Sequence, residues 1–222
     1  MNPNSETINA IIEAEWPMFS SINADGQKAP CQGDKETFSG MRRGQFAAWS
    51  DEAVRSYWND IQKAQAEQRN LILEKYVFMM KSTLPAQYEK VAHLVTEPVG
   101  ERLALIEEIT EKLVGQTVAL FAVYPCVAGT GRPVHSTEDD LCNTSIETYQ
   151  RGELCTYSEE TLRALKKHLD ELESQGIRLS EEILKNTVRF YGYDSLEAAE
   201  KATAKRMEAG IQIGYKRCPA CS

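Results

Sequence analysis

Apolar residues recur at helical spacing along almost the whole chain, and this periodicity limits the folds that are open to it. Leu162, Leu165 and Leu169 form one of the clearest stripes. Residues three and four positions apart share one face of an α-helix, which can then pack on a core. No segment alternates apolar and polar residues as a half-buried strand does, and the single Asp-Gly pair, at Asp25, has polar neighbours. The sequence therefore predicts an all-α fold.

Capping residues divide this pattern into seven to nine helices within one domain, residues 1–210. Ser50, Ser158 and Ser180 each stand before an apolar stripe, as N-cap residues do. Asp194 and Glu197 have the spacing of a capping box at the start of a last helix.

The longest predicted helix runs from about Val99 to Tyr124. Pro125 should end it, because proline has no N–H to continue a helix. The following stretch, Cys126 to Thr144, is predicted to be an irregular loop. Loops of this length in a compact domain often carry function.

Net charge and hydropathy limit the partners and the cellular location that we expect for this protein. The 222 residues include 33 Asp or Glu and 25 Lys or Arg, a formal net charge of −8, which disfavours nucleic acid and anionic membranes as partners. The longest apolar stretch, about residues 118–128, is shorter than the ~20 residues that span a bilayer. The N-terminal segment lacks the basic start and apolar centre of a signal peptide. We therefore expect a cytoplasmic protein with reduced cysteines.

Two of the six cysteines form a Cys-x-x-Cys motif in a C-terminal tail, residues 211–222. Cys218 and Cys221 are weak candidates for a metal site, because two thiolates at this spacing bind zinc or cycle as a dithiol. A structural zinc site needs four ligands, and the sequence has no second Cys-x-x-Cys. A tail with two exposed thiols is the explanation of the motif that the sequence favours. The sequence identifies no cofactor.

Charged residues within apolar stretches are the first candidates for a site. Glu74 and Lys75 lie in the strongly apolar run 69–80, and Glu15 precedes the aromatic and apolar residues 16–19. A carboxylate among apolar neighbours is costly unless it is paired, and such groups often have shifted pKa values at functional sites. An internal ion pair that fixes the register of two helices would account for them as well.

A second cluster follows the predicted loop, in residues 144–157. Glu147 and Arg151 have i, i+4 spacing, and so do Tyr149 and Glu153. This density of polar groups is enough to bind a small polar ligand, although a network of caps and turns uses the same residue types.

These motifs are more specific as an ordered set than one by one. In chain order they are Glu15-Trp16, Met18-Phe19, Cys31-Gln32, Thr37-Phe38, Met41-Arg42, Gln45-Phe46, Arg69-Asn70-Leu71, Glu74-Lys75-Tyr76, Met79-Met80, Tyr124-Pro125, Gly131-Arg132-Pro133, Thr144-Ser145, Glu147-Thr148-Tyr149, Arg151-Gly152-Glu153-Leu154 and Tyr191-Gly192-Tyr193. Up to about Glu200 the chain resembles the bacterial DUF4125 family, whose function is unknown. The resemblance implies no activity.

The leading hypothesis is a helical domain that binds a small polar or anionic ligand. Glu74 and Glu147 are the candidate catalytic acids or bases, with pKa values raised by apolar surroundings. The candidate ligand-binding residues are Glu15, Arg42, Tyr76, Arg132, Tyr149, Arg151 and Glu153. Whether the domain is an enzyme stays open. One alternative is a non-catalytic adaptor for a partner enzyme, and another is a protein whose glutamates bind a divalent metal.

Overall fold

The computed structural model describes residues 4–22, 30–129, 131–141 and 143–211, and within these ranges the chain is helical without a strand. The all-α prediction is confirmed. The α-helices are α1 (Asn4–Ser20), α2 (Lys35–Phe46), α3 (Asp51–Ala66), α4 (Leu71–Thr83), α5 (Pro85–Val91), α6 (Gly100–Val123), α7 (Pro125–Gly129), α8 (Ile146–Leu154), α9 (Glu159–Ser174), α10 (Leu179–Phe190) and α11 (Leu196–Glu208). Short 3-10 helices span Pro30–Gly33, Ala92–Leu94 and Ser136–Glu138.

The predicted number of seven to nine helices is wrong, because the described ranges contain eleven α-helices. Helix α7 lies in the predicted loop. Pro125 opens it, since a first helical residue needs no N–H partner, and the Glu200 carboxylate accepts hydrogen bonds from the N–H groups of Cys126 and Val127. Helix α8 was predicted only as a polar cluster. The Ser145 side chain caps it by accepting from the N–H of Thr148.

Two of the predicted caps are confirmed and two are wrong. Ser50 and Ser158 cap α3 and α9 through their side chains. Helix α10 begins before Ser180, whose N–H donates to the side-chain oxygen of Gln116. The cap of α11 is Ser195 rather than Asp194.

Two clusters of buried apolar residues hold the described elements together. Ile11, Ile61, Ile106 and Leu162, from α1, α3, α6 and α9, are fully buried at the centre of the larger one. The smaller cluster, which includes Val188, lies where α10 meets α11. No helix in the described ranges is long and apolar enough to cross a bilayer.

Gly152 lets α8 approach α4 closely. A Cβ atom at this position would lie 2.8 Å from the Cγ of Met79 and 3.0 Å from the carbonyl oxygen of Lys75. Contacts this short leave no room for a larger residue unless the helices separate. The two helices therefore pack backbone against backbone at this point.

We expect Gly152→Ala to lower the free energy of unfolding by about 1–3 kcal/mol, because the added methyl group overpacks the contact between α4 and α8. The matched control is Gly115→Ala in α6, where a Cβ atom would meet nothing within 4 Å. It should raise stability by about 0.5–1 kcal/mol through helix propensity alone. Urea denaturation measures both changes. Equal effects of the two substitutions would contradict the close packing.

Candidate functional site

Arg42 lies at the centre of a network of buried charged side chains. Its Nε and Nη2 atoms donate to the two carboxylate oxygens of Glu15 at 2.7 and 2.5 Å, and its Nη1 atom donates to Oε1 of Glu153 at 2.7 Å. The Gln45 side chain bridges Arg42 and Glu153. Its Oε1 atom accepts from Arg42, and its Nε2 atom donates to Glu153. The exposed fractions are 0% for Glu15 and 7% for both Arg42 and Glu153. One guanidinium therefore joins α1, α2 and α8 by bidentate and charge-assisted bonds.

Further side chains complete the hydrogen bonding of both carboxylates. The Tyr57 hydroxyl donates to Oε1 of Glu15 at 2.6 Å, and the Tyr157 hydroxyl donates to Oε1 of Glu153 at 2.7 Å. The Lys75 ammonium donates to Oε2 of Glu153 at 2.6 Å and is only 4% exposed. Two cations thus balance two anions, as a buried ionic cluster requires.

The pKa shifts of Glu153, Tyr57 and Tyr157 keep each of these three groups in one charge state. Burial acts to raise the pKa of Glu153, but Arg42 and Lys75 outweigh it and hold that pKa well below its usual value. Burial raises the pKa of the Tyr57 and Tyr157 phenols well above their usual value, and the neighbouring carboxylates add to the effect. The carboxylate of Glu153 stays ionised and both phenols stay neutral at ordinary pH.

The network reaches a less buried end at Tyr149. The Nζ atom of Lys75 lies 3.4 Å from the centroid of the Tyr149 ring, and the Arg132 guanidinium carbon lies 4.9 Å from the same centroid. Both are cation–π distances. Tyr149 and Arg132 are half-buried, and Arg132 also donates to the carbonyl of Thr144 at 3.1 Å. Two positive groups therefore lie against one ring, and of the two only Arg132 is within reach of solvent.

Glu147 and Arg151 form a separate ion pair on α8, with 3.0 Å between Oε1 and Nη2. Arg151 also bonds Glu107, and the N–H of Ser136 donates to Glu147 at 2.9 Å. Burial acts to raise the pKa of Glu147, but the bonds from Ser136 and Arg151 lower it overall. The predicted raised pKa of this carboxyl is therefore wrong.

Glu74 forms an ion pair outside the network, and Tyr76 contributes to the apolar packing. Both carboxylate oxygens of Glu74 accept hydrogen bonds from Arg69, at 2.8 and 2.7 Å. Tyr76 packs, partly buried, against the larger apolar cluster. The two candidate catalytic carboxylates, Glu74 and Glu147, thus each belong to an ion pair of their own.

The structure accordingly joins five of the nine candidate residues. Glu15, Arg42 and Glu153 form the buried part, and Tyr149 and Arg132 continue it outward through Lys75. The glutamates considered as ligands of a divalent metal do not converge; they are Glu15, Glu74, Glu147 and Glu153. The part of the chain that is described holds no cluster of three or more His, Cys, Asp or Glu suited to a metal. Cys218 and Cys221 lie outside the described residues.

Sequence reasoning did not select Lys75, Tyr57, Tyr157 or Gln45 as site residues. The sequence does indicate that Lys75 is unusual, since it is a cation within an apolar run. Tyr57 continues the apolar stripe of α3, which predicts its burial. No spacing along the chain indicates the carboxylate that its hydroxyl meets on α1.

The first turn of α8 is closed by the chain itself. The N–H of Ser145 donates to the Asp139 carboxylate at 2.6 Å, and those of Ile146 and Glu147 donate to the carbonyls of Pro133 and Val134. An anion cannot use N–H groups that are already bonded. Ligand recognition near this helix therefore depends on side chains.

A family model described as "Protein of unknown function (DUF4125)" matches residues 5–201. The chain belongs to the DUF4125 family. The match contains every residue of the buried network and ends before the Cys-x-x-Cys tail, so the resemblance seen in the ordered motifs is confirmed. No curated protein and no solved structure matches the chain. Membership in DUF4125 therefore supplies no reaction, and function must be argued from the geometry.

Glu153→Gln should lower the free energy of unfolding by about 3–5 kcal/mol, because it leaves Arg42 and Lys75 buried without their shared anion. The matched control is Glu52→Gln, which removes an exposed ion pair with Lys167 and should change stability little. Urea denaturation of the variants and the wild type gives the comparison. A small effect of Glu153→Gln would show that the buried charges are not coupled.

Acid should destabilise the wild type partly through Glu153. Because its folded pKa is lower than its unfolded pKa, its contribution is complete above the ordinary value of 4.5 and is lost as the pH falls through the folded pKa. The free energy of unfolding of Glu153→Gln should therefore fall less steeply below about pH 4.5 than that of the wild type. Parallel pH curves for the two proteins would contradict this assignment.

Proposed function

We propose that this chain binds a small anionic ligand beside Tyr149, at the less buried end of the charge network. The observation that carries the proposal is the placement of Lys75 and Arg132 against the same aromatic ring. Arg132 is the cation of this pair that an incoming anion can contact, because it is half-buried, whereas Lys75 is 4% exposed and bonded to Glu153.

The buried network supports this proposal through preorganisation. A buried ion pair adds little stability compared with well-packed apolar residues, so stability alone is a weak reason for such a network. The bond from Lys75 to Glu153 fixes the ammonium against the Tyr149 ring, and the same ring orders Arg132 before any ligand arrives. A cation that is already ordered loses little entropy on binding, which raises the affinity for a given contact.

The chemistry of Arg132 indicates the class of ligand. A guanidinium matches the two oxygens of a carboxylate or phosphate in a planar, bidentate arrangement. The net charge of −8 repels anions at long range, so binding depends on local contacts and favours a small ligand.

We propose binding rather than acid–base catalysis, because Glu74 and Glu147 are engaged in their own ion pairs. The cytoplasmic location, the bacterial origin and the exclusion of membrane and nucleic acid as partners remain predictions from the sequence and from the family resemblance.

The proposal is tested by thermal unfolding in the presence of inorganic phosphate, citrate or acetate. At a concentration of ten times its Kd, an anion that binds only the folded state adds about 1.4 kcal/mol of stability. Arg132→Met should weaken this binding at least tenfold. The matched control is Arg43→Met, at an exposed arginine that makes no ion pair with the described residues. If no anion stabilises the wild type, or if Arg132→Met responds like Arg43→Met, the proposed site is wrong.

One observation favours the adaptor as a second candidate function. Met41, Phe190 and Tyr191 are 43%, 38% and 56% exposed and adjoin one another on α2 and the end of α10. The Tyr191 hydroxyl lies 4.0 Å from the Met41 sulfur, and the two aromatic rings lie 5.1 Å apart. Adjoining exposed apolar side chains are typical of protein interfaces. Failure of every anion in the stabilisation test would make the adaptor the better candidate.

A further inference from the structure

A small polar cleft lies where α10 and α11 meet the end of α6. Its volume is about 200 Å³. The side chains that line it include Tyr124, Lys185, Arg189, Asp194, Ser195 and Glu197. None of them belongs to the charge network or to the proposed anion site at Tyr149, so the cleft is a separate feature of the molecule.

Most of the polar groups in the cleft already have partners. Lys185 forms ion pairs of 2.9 Å with Glu181 and Glu182. The Tyr124 hydroxyl donates to Glu197 at 2.8 Å, and the Ser195 hydroxyl oxygen accepts from the N–H of Ala198 at the start of α11. These groups shape the cleft without remaining available to a ligand.

Arg189 and Asp194 are the exception. Neither side chain makes an ion pair or a hydrogen bond with any residue in the described ranges, and the two do not pair with each other although they line the same cleft. One positive and one negative charge therefore face a shared space from opposite sides of a chain turn.

A tight turn of the backbone connects the two residues. The N–H of Gly192 donates to the carbonyl of Arg189, and the N–H of Tyr193 donates to the carbonyl of Val188. With Gly192 at a φ of +85°, this is a Schellman motif, which ends α10 and redirects the chain towards Asp194. Because the motif is held by backbone bonds, the backbones of Arg189 and Asp194 stay on either side of the turn.

We propose that this cleft binds a small zwitterion of the amino-acid type. The carboxylate of the ligand pairs with Arg189, whose guanidinium suits a bidentate contact, and its ammonium group pairs with Asp194. The cleft volume of about 200 Å³ suits a ligand of a few heavy atoms and is below the usual range of drug-sized pockets. A zwitterion brings no net charge, so the charge of −8 on the chain does not oppose its approach.

The test uses glycine, β-alanine and 4-aminobutyrate, in which the distance between the two charges increases stepwise. Ligand-observed NMR and calorimetry should show saturable binding of at least one of them, with a Kd of about 1 mM or tighter. Acetate and methylammonium, which carry only one of the two charges, should bind at least tenfold more weakly.

Arg189→Met and Asp194→Asn should each weaken binding of that zwitterion at least tenfold. Both residues are exposed, so their substitution should leave the thermal unfolding temperature unchanged. Arg43→Met is again the matched control and should bind like the wild type.

Three outcomes would overturn the proposal: no saturable binding of any of the three zwitterions, equal binding of acetate, or binding that survives both substitutions. The binding measurements are made in the Arg132→Met background, which removes the proposed anion site, so that acetate or a zwitterion carboxylate bound beside Tyr149 is not mistaken for a ligand of the cleft.

Discussion

The bidentate bond between Arg42 and Glu15, with Glu153 as a second anion, is the interaction on which the described architecture depends. A guanidinium stays charged in a protein interior, so its burial requires anions at hydrogen-bond distance. Those anions come from α1 and α8, and Lys75 and Tyr57 bring α4 and α3 to the same point. Apolar contacts tolerate small sliding movements, whereas bonds of 2.5 to 2.8 Å with fixed directions do not. We infer that the charges select one register among the packings that the apolar stripes permit.

In the tripeptide Arg151-Gly152-Glu153, a close packing contact and a buried ion pair lie one residue apart. Gly152 allows α8 to approach the backbone of Lys75, and that approach places the Glu153 carboxylate within reach of the Lys75 ammonium. A larger residue at 152 would push α8 outward and lengthen the bond one residue away. The small residue and the charged residue therefore act as one feature, which explains why they are informative together as a sequence motif.

The sequence predicts most helices because stripes and serine caps are local signals. It fails where a partner far along the chain decides the structure. Two N–H groups of α7 donate to Glu200, which lies on α11, and Ser180, whose N–H donates to Gln116 of α6, lies inside α10 rather than at its cap. The same limit applies to the candidate site, where the sequence indicates buried charges but not their partners. Glu74 and Lys75 are neighbours in one apolar run, but only Lys75 turns towards Glu153, and a helical rotation of about 100° per residue separates their directions.

The charged residues of this protein therefore fall into two groups, buried and accessible, which require different explanations. Charges that are fully buried and mutually bonded, such as Arg42 and Glu153, are explained by the fold that they hold, because a ligand would have to break short bonds to reach them. Charges that are ordered yet accessible require another explanation. The charged residue of greatest interest for function is consequently not the most buried one. It is the one whose position is fixed by its neighbours while part of its surface still faces solvent, as is the case for Arg132 beside Tyr149.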